Sequence, residues 1–197
     1  MTGRMLIAGI GNIFLGDDGF GPEVAKRLAA VSLPGWVRVA DYGISGMHLA
    51  YDLADDYDAA ILIDAAPRGD KPGSISTLDA AAEHRPDAAP AGDAIGASRL
   101  FDAHGMQPDV VLGVLDMLGE AGPARILVVG CEPASVDYGM ELSEPVANAV
   151  DEAVQVVLGL VAEAGRGHEP PGAAGTPAAP APDTTDEGVS HVPWHSR

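Results

Sequence analysis

Short apolar runs rich in β-branched residues alternate with helical patterns along this chain, and this alternation constrains the fold more than any other feature. The runs cover residues 5–9, 37–42, 60–64 and 126–130, and glycine or acidic residues bound each of them. Nearly continuous apolar strands are typical of parallel sheets covered on both faces. The pattern therefore predicts an α/β fold, a three-layer α/β/α sandwich with a mostly parallel, mixed sheet of about five strands.

Four helical patterns separate or follow these runs, at residues 22–30, 47–54, 107–118 and 144–164. Pro22 fits the first turn of the first helix. The two later segments each carry one apolar stripe at helical spacing, so each is expected to cover a face of the sheet. Residues 74–78 form a weaker fifth strand, predicted at a sheet edge and antiparallel.

Two segments lack apolar periodicity. Residues 79–98 are rich in alanine and proline, which predicts a long, mobile surface loop. From Gly165 onward proline, glycine and small polar residues predominate, with too little apolar surface to offset the entropy of ordering. The sequence therefore predicts an α/β domain at residues 1–164 and a disordered Ala/Pro-rich tail at residues 165–197.

Charge and cysteine content limit the partners. The chain has 29 acidic and 11 basic residues and a formal net charge of -18, which argues against nucleic acid or an anionic membrane surface. No stretch is expected to reach the roughly 20 apolar residues of a membrane span, and the N-terminus shows no signal-peptide cleavage site. The single cysteine, Cys131, excludes an intramolecular disulfide. A cytoplasmic location is therefore predicted.

Polar residues follow the predicted strands where ligands bind in open α/β sheets, at the carboxyl ends. The loop after the first strand reads Gly-Ile-Gly-Asn-Ile-Phe-Leu-Gly-Asp-Asp-Gly-Phe-Gly over residues 9–21 and carries Asp17 and Asp18. Asp41 ends the second strand and Asp64 ends the third, while His104 precedes the third helix. These acidic groups and one imidazole are expected to converge on one rim.

A dinucleotide site is one reading of this rim, because Gly9, Gly11 and Asp41 occupy positions of the nucleotide fingerprint. However, Phe14 stands where the third glycine would be. The Asp17–Asp18 pair would also repel a pyrophosphate more than a helix dipole attracts it, since that attraction is about 0.3–1 kcal/mol.

A divalent metal suits the rim better. Asp18, Asp64 and His104 would supply two carboxylates and one imidazole while leaving coordination positions open. Spacing alone leaves plainer roles open as well. Asp18 could cap the first helix, Asp64 could hold a turn, and His104 could cap a helix or pack.

The residue 9–21 loop resembles the opening motif of the hydrogenase maturation proteases, endopeptidases that process the large subunit of nickel-iron hydrogenases. Further matches follow in the family's order, at residues 41–46, 61–65, 102–106 and 130–133. The resemblance covers about residues 5–164 and omits the tail.

The resemblance implies that Asp18, Asp64 and His104 bind nickel that the hydrogenase large-subunit precursor brings with it. It implies that the protein inspects this nickel and then removes the precursor's C-terminal extension. Asp41 and Gly43 would shape the cleft around the substrate peptide. Two positions depart from the family's usual pattern. Members of the family often have glutamate at the position of Asp18 and glycine at the position of Tyr42.

The catalytic group is not evident from the sequence. No Gly-x-Ser-x-Gly elbow is present, and acidic Glu132 follows Cys131, which is a poor setting for a thiolate. Cys131 is instead expected to be a small buried residue at a strand end. A metal bound partly by the substrate could activate the carbonyl or a water, with Asp18 or Asp64 as candidate general base. The alternative function is a non-catalytic, nickel-sensing chaperone of the precursor.

Truncation after Arg166 is expected to leave the melting temperature unchanged, because no apolar stripe continues beyond that residue. Thermal unfolding of the full and shortened chains checks this, and a lower midpoint in the shortened chain would contradict it.

Overall fold

The computed structural model describes residues 3–54, 57–80, 113, 115 and 122–166. A 3-10 turn, Gly16–Gly19, lies before the first helix. The strands and helices of this part, in chain order, are β1 Met5–Ile10, α1 Phe20–Ala29, β2 Val37–Gly43, α2 Gly46–Ala54, β3 Ala59–Ala65, β4 Ile75–Asp79, β5 Arg125–Cys131 and α3 Glu144–Arg166.

The five strands form one mixed sheet in the order β2-β1-β3-β5-β4. The first four are parallel to one another, whereas β4 pairs antiparallel with β5 at the edge. The predicted α/β fold with its mostly parallel sheet is therefore confirmed, and so is the antiparallel edge strand, one residue later than predicted.

Helices cover both faces of the sheet because successive side chains of the buried strands point to opposite sides. Ile7, Ile61 and Ile63 face α1 and α3, and they share one core cluster with the buried residues of those helices. Leu6 and Leu62 belong to a second cluster, on the face covered by α2.

The predicted third helix contributes to this second cluster. Gly113 and Leu115 are helical, and the Leu115 side chain is buried in the cluster. The rest of that segment lies outside the described residues.

The last described helix, α3, is two residues longer than predicted. Contrary to the expectation from the sequence, α3 is long and apolar enough to cross a membrane by length and composition, with a mean hydropathy of 1.3 over its most apolar window. A core helix of a globular protein passes the same test. Its valine stripe is buried against the sheet, and Val146, Val150 and Val157 are each at most 1% exposed.

The predicted starts of the two irregular segments, residues 79 and 165, are both too early. Asp79 pairs with Leu127 in the sheet, and Ala80 is buried, so the first segment cannot start at residue 79. Gly165 and Arg166 belong to α3. The remaining residues of both segments, the predicted mobile loop and the predicted tail, lie outside the described residues.

The first turn of α1 sits directly on the ends of the two central strands. A Cβ atom at Gly21 would lie 2.2 Å from the Ile10 carbonyl oxygen and 2.3 Å from that of Ile63. Only glycine permits this approach, because real Cβ contacts are not that short. The contact fixes where the loop before α1 meets the rim of the sheet.

The substitution Gly21→Ala is expected to destabilise the protein by about 3 kcal/mol, since the added methyl overpacks a backbone contact. Urea unfolding measures this change. The matched control is Gly159→Ala on α3, where a Cβ meets nothing within 4 Å. The control is expected to raise stability by about 0.5–1 kcal/mol because alanine has the higher helix propensity. Equal stability of the two variants would contradict the proposed contact.

Candidate active site

The loop after β1 folds back so that Asp18 lies over the end of that strand. Gly11 has a φ of 130°, and a Cβ there would lie 1.9 Å from the Asp18 carbonyl oxygen. The Asn12 N–H donates to Asp18 Oδ2 at 2.7 Å. Helix α1 has Gly19 as its N-cap, with no side-chain capping bond. The reading of Asp18 as a helix cap is therefore wrong, and its carboxylate instead closes the first loop.

Asp64 lies at the neighbouring strand end. Gly9 of β1 pairs with Ile63 of β3, which puts Asp64 beside the point where β1 ends. Asp64 is only 4% exposed and, by strand alternation, is on the α2 face of the sheet. The structure thus brings Asp18 and Asp64 to adjacent ends of two parallel strands. Their role as metal ligands stays a prediction.

His104, the third predicted ligand, lies outside the described residues. Among the residues that the structure does describe, no group of three or more histidine, cysteine, aspartate or glutamate side chains is arranged to hold a metal ion. The described part therefore supplies the two carboxylates of the predicted ligand set.

Asp17 is a buried carboxylate that joins two loops of the rim, and it is only 1% exposed. It accepts hydrogen bonds from the backbone N–H groups of Ala134 at 2.7 Å, Ser135 at 3.1 Å and Ser143 at 2.6 Å. The Ser143 hydroxyl donates a fourth at 2.9 Å. These donors all belong to the β5–α3 loop, residues 132–143, so Asp17 ties that loop to the one carrying Asp18.

The environment of Asp17 favours its ionised form. Burial by itself raises the pKa of this carboxyl, but the hydrogen bonds from Ser143, Ser135 and Ala134 outweigh burial and lower the pKa below its ordinary value of 3.8. Sequence reasoning treated Asp17 only as a repulsive charge. The adjacent pair Asp17 and Asp18 was the available sequence signal for a buried carboxylate, but the sequence did not indicate which of the two is buried.

Glu132 performs a similar task for the loop after β3. Its carboxylate accepts from the backbone N–H groups of Arg68 at 2.6 Å and Gly69 at 3.2 Å. The Arg68 hydrogen bond is the main reason that the pKa of Glu132 is lowered. Glu132 therefore holds the segment that follows Asp64, a role that sequence reasoning missed.

The predicted cleft residues, Asp41 and Gly43, lie beside the first loop. Gly43 has a φ of 50°, its N–H donates to Asp41 Oδ1 at 2.9 Å, and its carbonyl accepts from the Gly11 N–H at 3.0 Å. Asp41 lines a groove of about 570 Å³ between α1 and the β5–α3 loop, together with Ile13 and Met140. The structure thus places Asp41 at an open groove.

Tyr42, where the family often has glycine, is accommodated on the other side of β2. Its hydroxyl donates to the Asp52 carboxylate on α2. Burial and this contact raise the pKa of the Tyr42 phenol above its usual range.

Cys131 is fully buried at the end of β5, and its burial raises the pKa of the thiol to about 12. The thiol is therefore protonated at neutral pH and packs in the core with α3. The prediction of a small buried residue is confirmed.

Comparison with known proteins identifies the family. The HycI family model, described as hydrogenase maturation protease, matches residues 22–160. The chain belongs to the hydrogenase maturation protease family. It is similar to the hydrogenase expression/formation protein HupD of Rhodobacter capsulatus, with 33% identity over 77% of this chain and 68% of that protein. Family membership favours the endopeptidase interpretation of the rim over the dinucleotide interpretation.

Solved structures of the family share the fold. The hydrogenase 2 maturation peptidase from Thaumarchaeota archaeon SCGC_AB-539-E09 is 32% identical, with a TM-score of 0.58 over 80% of this chain and 97% of that one. The hydrogenase maturating endopeptidase HybD from Escherichia coli is 28% identical, with a TM-score of 0.63 over 82% and 94%. The chain is thus an enzyme of the maturation endopeptidase class.

The substitution Asp17→Asn is expected to lower the free energy of unfolding by about 3 kcal/mol at pH 7, because an amide cannot accept all four hydrogen bonds and presents its own N–H to buried donors. Since the folded pKa is lowered, this stability is present above pH 3.8 and is lost as the pH falls through the folded value. Urea unfolding of both proteins at pH 7 and at acidic pH measures the difference.

The matched control for this experiment is Asp151→Asn. The Asp151 side chain is 84% exposed and pairs only with the half-exposed Arg27 among the residues described. Its removal should change stability by less than about 1 kcal/mol. A difference between wild type and Asp17→Asn that does not shrink at acidic pH would contradict the proposed role of the Asp17 charge.

Proposed function

We propose that this enzyme removes the C-terminal extension from the large-subunit precursor of a nickel-iron hydrogenase after recognising the nickel that the precursor holds. Family membership supplies the class of reaction. The observation that carries the proposal is the placement of Asp18 and Asp64 at adjacent strand ends. The buried carboxylates of Asp17 and Glu132 hold the surrounding loops.

Nickel is part of the substrate in this proposal. Carboxylate oxygens of Asp18 and Asp64 and an imidazole nitrogen of His104 form a donor set that suits a borderline divalent ion. The set contains no thiolate and leaves positions for the precursor's own ligands. His104 lies outside the described residues and enters this donor set through the family resemblance.

The two carboxylates have a second task in the reaction. Nickel in the precursor would supply Lewis-acid activation of the scissile carbonyl or of a water. Asp18 or Asp64 accepts a proton from the water as its oxygen attacks the carbonyl carbon. The peptide C–N bond then breaks, and the proton passes to the leaving amine. Cys131 takes no part, because its thiol is buried and protonated.

The groove beside Asp41 is the proposed place for the extension. It runs from the first loop towards α1 and is lined by Ile13, Met140 and Leu142. The enzyme's acidic character, with a net charge of -18, supports a protein partner and not a nucleic acid. We place the reaction in the cytoplasm, which the single reduced Cys131 supports.

Incubation with nickel-loaded and nickel-free precursor, followed by mass measurement, tests this function. Loss of a C-terminal peptide from the loaded form alone is expected. Binding without loss would favour the alternative, a nickel-sensing chaperone. Neither binding nor loss with any hydrogenase precursor of the same cell would overturn both.

The substitutions Asp64→Asn and His104→Ala are each expected to slow processing of loaded precursor at least about 100-fold, because a lost metal ligand removes several kcal/mol of stabilisation. Single-turnover cleavage measures the rate. Asp151→Asn, far more exposed, serves as the control with unchanged rate. Circular dichroism establishes that each variant is folded. Full activity in either variant would remove that residue from the proposed site.

A further inference from the structure

Five large apolar side chains project into solvent from the two loops that Asp17 joins. Ile13 and Phe14 belong to the first loop, and they are 46% and 57% exposed. Val136, Tyr138 and Met140 belong to the β5–α3 loop, and their exposed fractions are 47%, 92% and 70%. These five residues are called the apolar ridge below.

Backbone hydrogen bonds join the two loops that carry the ridge. The Gly16 N–H donates to the Gly139 carbonyl at 2.8 Å, and the Gly139 N–H donates to the Phe14 carbonyl at 3.0 Å. Leu15 and Gly139 thereby form a parallel bridge. The two halves of the ridge are therefore joined side by side, and the hydrogen bonds to Asp17 anchor them from below. Such a surface is ordered before any partner arrives.

We propose that the apolar ridge is the docking surface for the folded body of the hydrogenase large-subunit precursor. Ile13 and Met140 also line the groove proposed for the extension, whereas Phe14, Val136 and Tyr138 are not among its lining residues and would contact the folded body alone. This inference rests on the proposed function. Contiguous apolar patches on soluble proteins mark interaction sites, and preorganised ones lose little entropy on binding. The ridge is also continuous with the site, since Phe14 and Asp18 belong to the same short loop.

Charge favours this partner over a second copy of the chain. Asp137 and Glu141 are exposed between and beside the ridge residues, and the chain carries a net charge of -18. Two copies docked ridge to ridge would bring these like charges together, which opposes association. A precursor that presents an apolar patch edged with basic residues would complement both the apolar side chains and the acidic rim.

The double variant Phe14→Ser/Tyr138→Ser tests the proposal, with Val31→Ser as its control. Val31 is 40% exposed in the α1–β2 connection, at the amino ends of the parallel strands, whereas the ridge lies at their carboxyl ends. We expect the double variant to raise KM for nickel-loaded precursor at least tenfold without changing kcat. We also expect it to weaken Kd for nickel-free precursor at least tenfold, since that complex has no metal contacts. Tyr138→Phe should keep both values, because apolar area and not the hydroxyl binds.

Failure of the ridge and failure of the proposed function give different results. KM and Kd within twofold of wild type in the double variant would overturn the ridge while processing stands. The ridge proposal would also be overturned if wild type did not bind nickel-free precursor. It would likewise be overturned if the double variant changed the oligomeric state of the enzyme but left Kd for the precursor unaltered. Wild type that binds precursor without cutting it would overturn the proposed function, and Kd of the variants would still decide the ridge. Val136→Ser repeats the test if the double variant does not fold.

Discussion

The carboxylate of Asp17 is the interaction on which the rest of this site depends. It is a charge withdrawn from water, and four hydrogen bonds from the described part of the chain compensate for that withdrawal. All four donors come from a loop more than a hundred residues away along the chain. Because the charge must find these donors, the first loop and the β5–α3 loop can take only one mutual arrangement.

The same principle operates a second time at the end of β5. Glu132 gathers the backbone N–H groups that follow β3, much as Asp17 gathers those that follow β5. Two buried carboxylates thus hold the loops next to Asp18 and Asp64. This arrangement separates structural from chemical carboxylates. Asp17 and Glu132 accept backbone hydrogen bonds and hold the loops, whereas Asp18 and Asp64 lie at the strand ends, where the reaction is proposed. These hydrogen bonds hold the loops around the proposed metal without any contribution from substrate.

Backbone proximity completes the arrangement. The first turn of α1 rests on the carbonyl groups of Ile10 and Ile63, and the Asp18 carbonyl rests on Gly11. Glycine at these contacts lets main chain pack directly on main chain. The distance between the first loop and the sheet is therefore set by backbone atoms and not by side-chain conformation. These backbone contacts therefore also position the apolar ridge and the groove beside Asp41, since both include residues of the first loop.

Much of the fold was predictable because it follows from local periodicity. The apolar runs predicted the boundaries of all four parallel strands to within one or two residues, and the apolar stripe of α3 predicted a core helix. The position of Asp18 and Asp64 at strand ends followed from the topology rule for open sheets. The irregular segments were placed less well, since the last residues of β4 and α3 carry small or charged side chains that resemble a loop.

The sequence by itself determined the layers, the parallel sheet, the family and the rim at which its acidic residues meet, because each depends on patterns within a few neighbouring residues. Only the tertiary structure decided that Asp17 is the buried partner of the aspartate pair, that Glu132 holds the loop after Asp64, and that the exposed apolar residues form one ridge. Those facts depend on donors and neighbours that are distant along the chain, and no local pattern records which of them will meet.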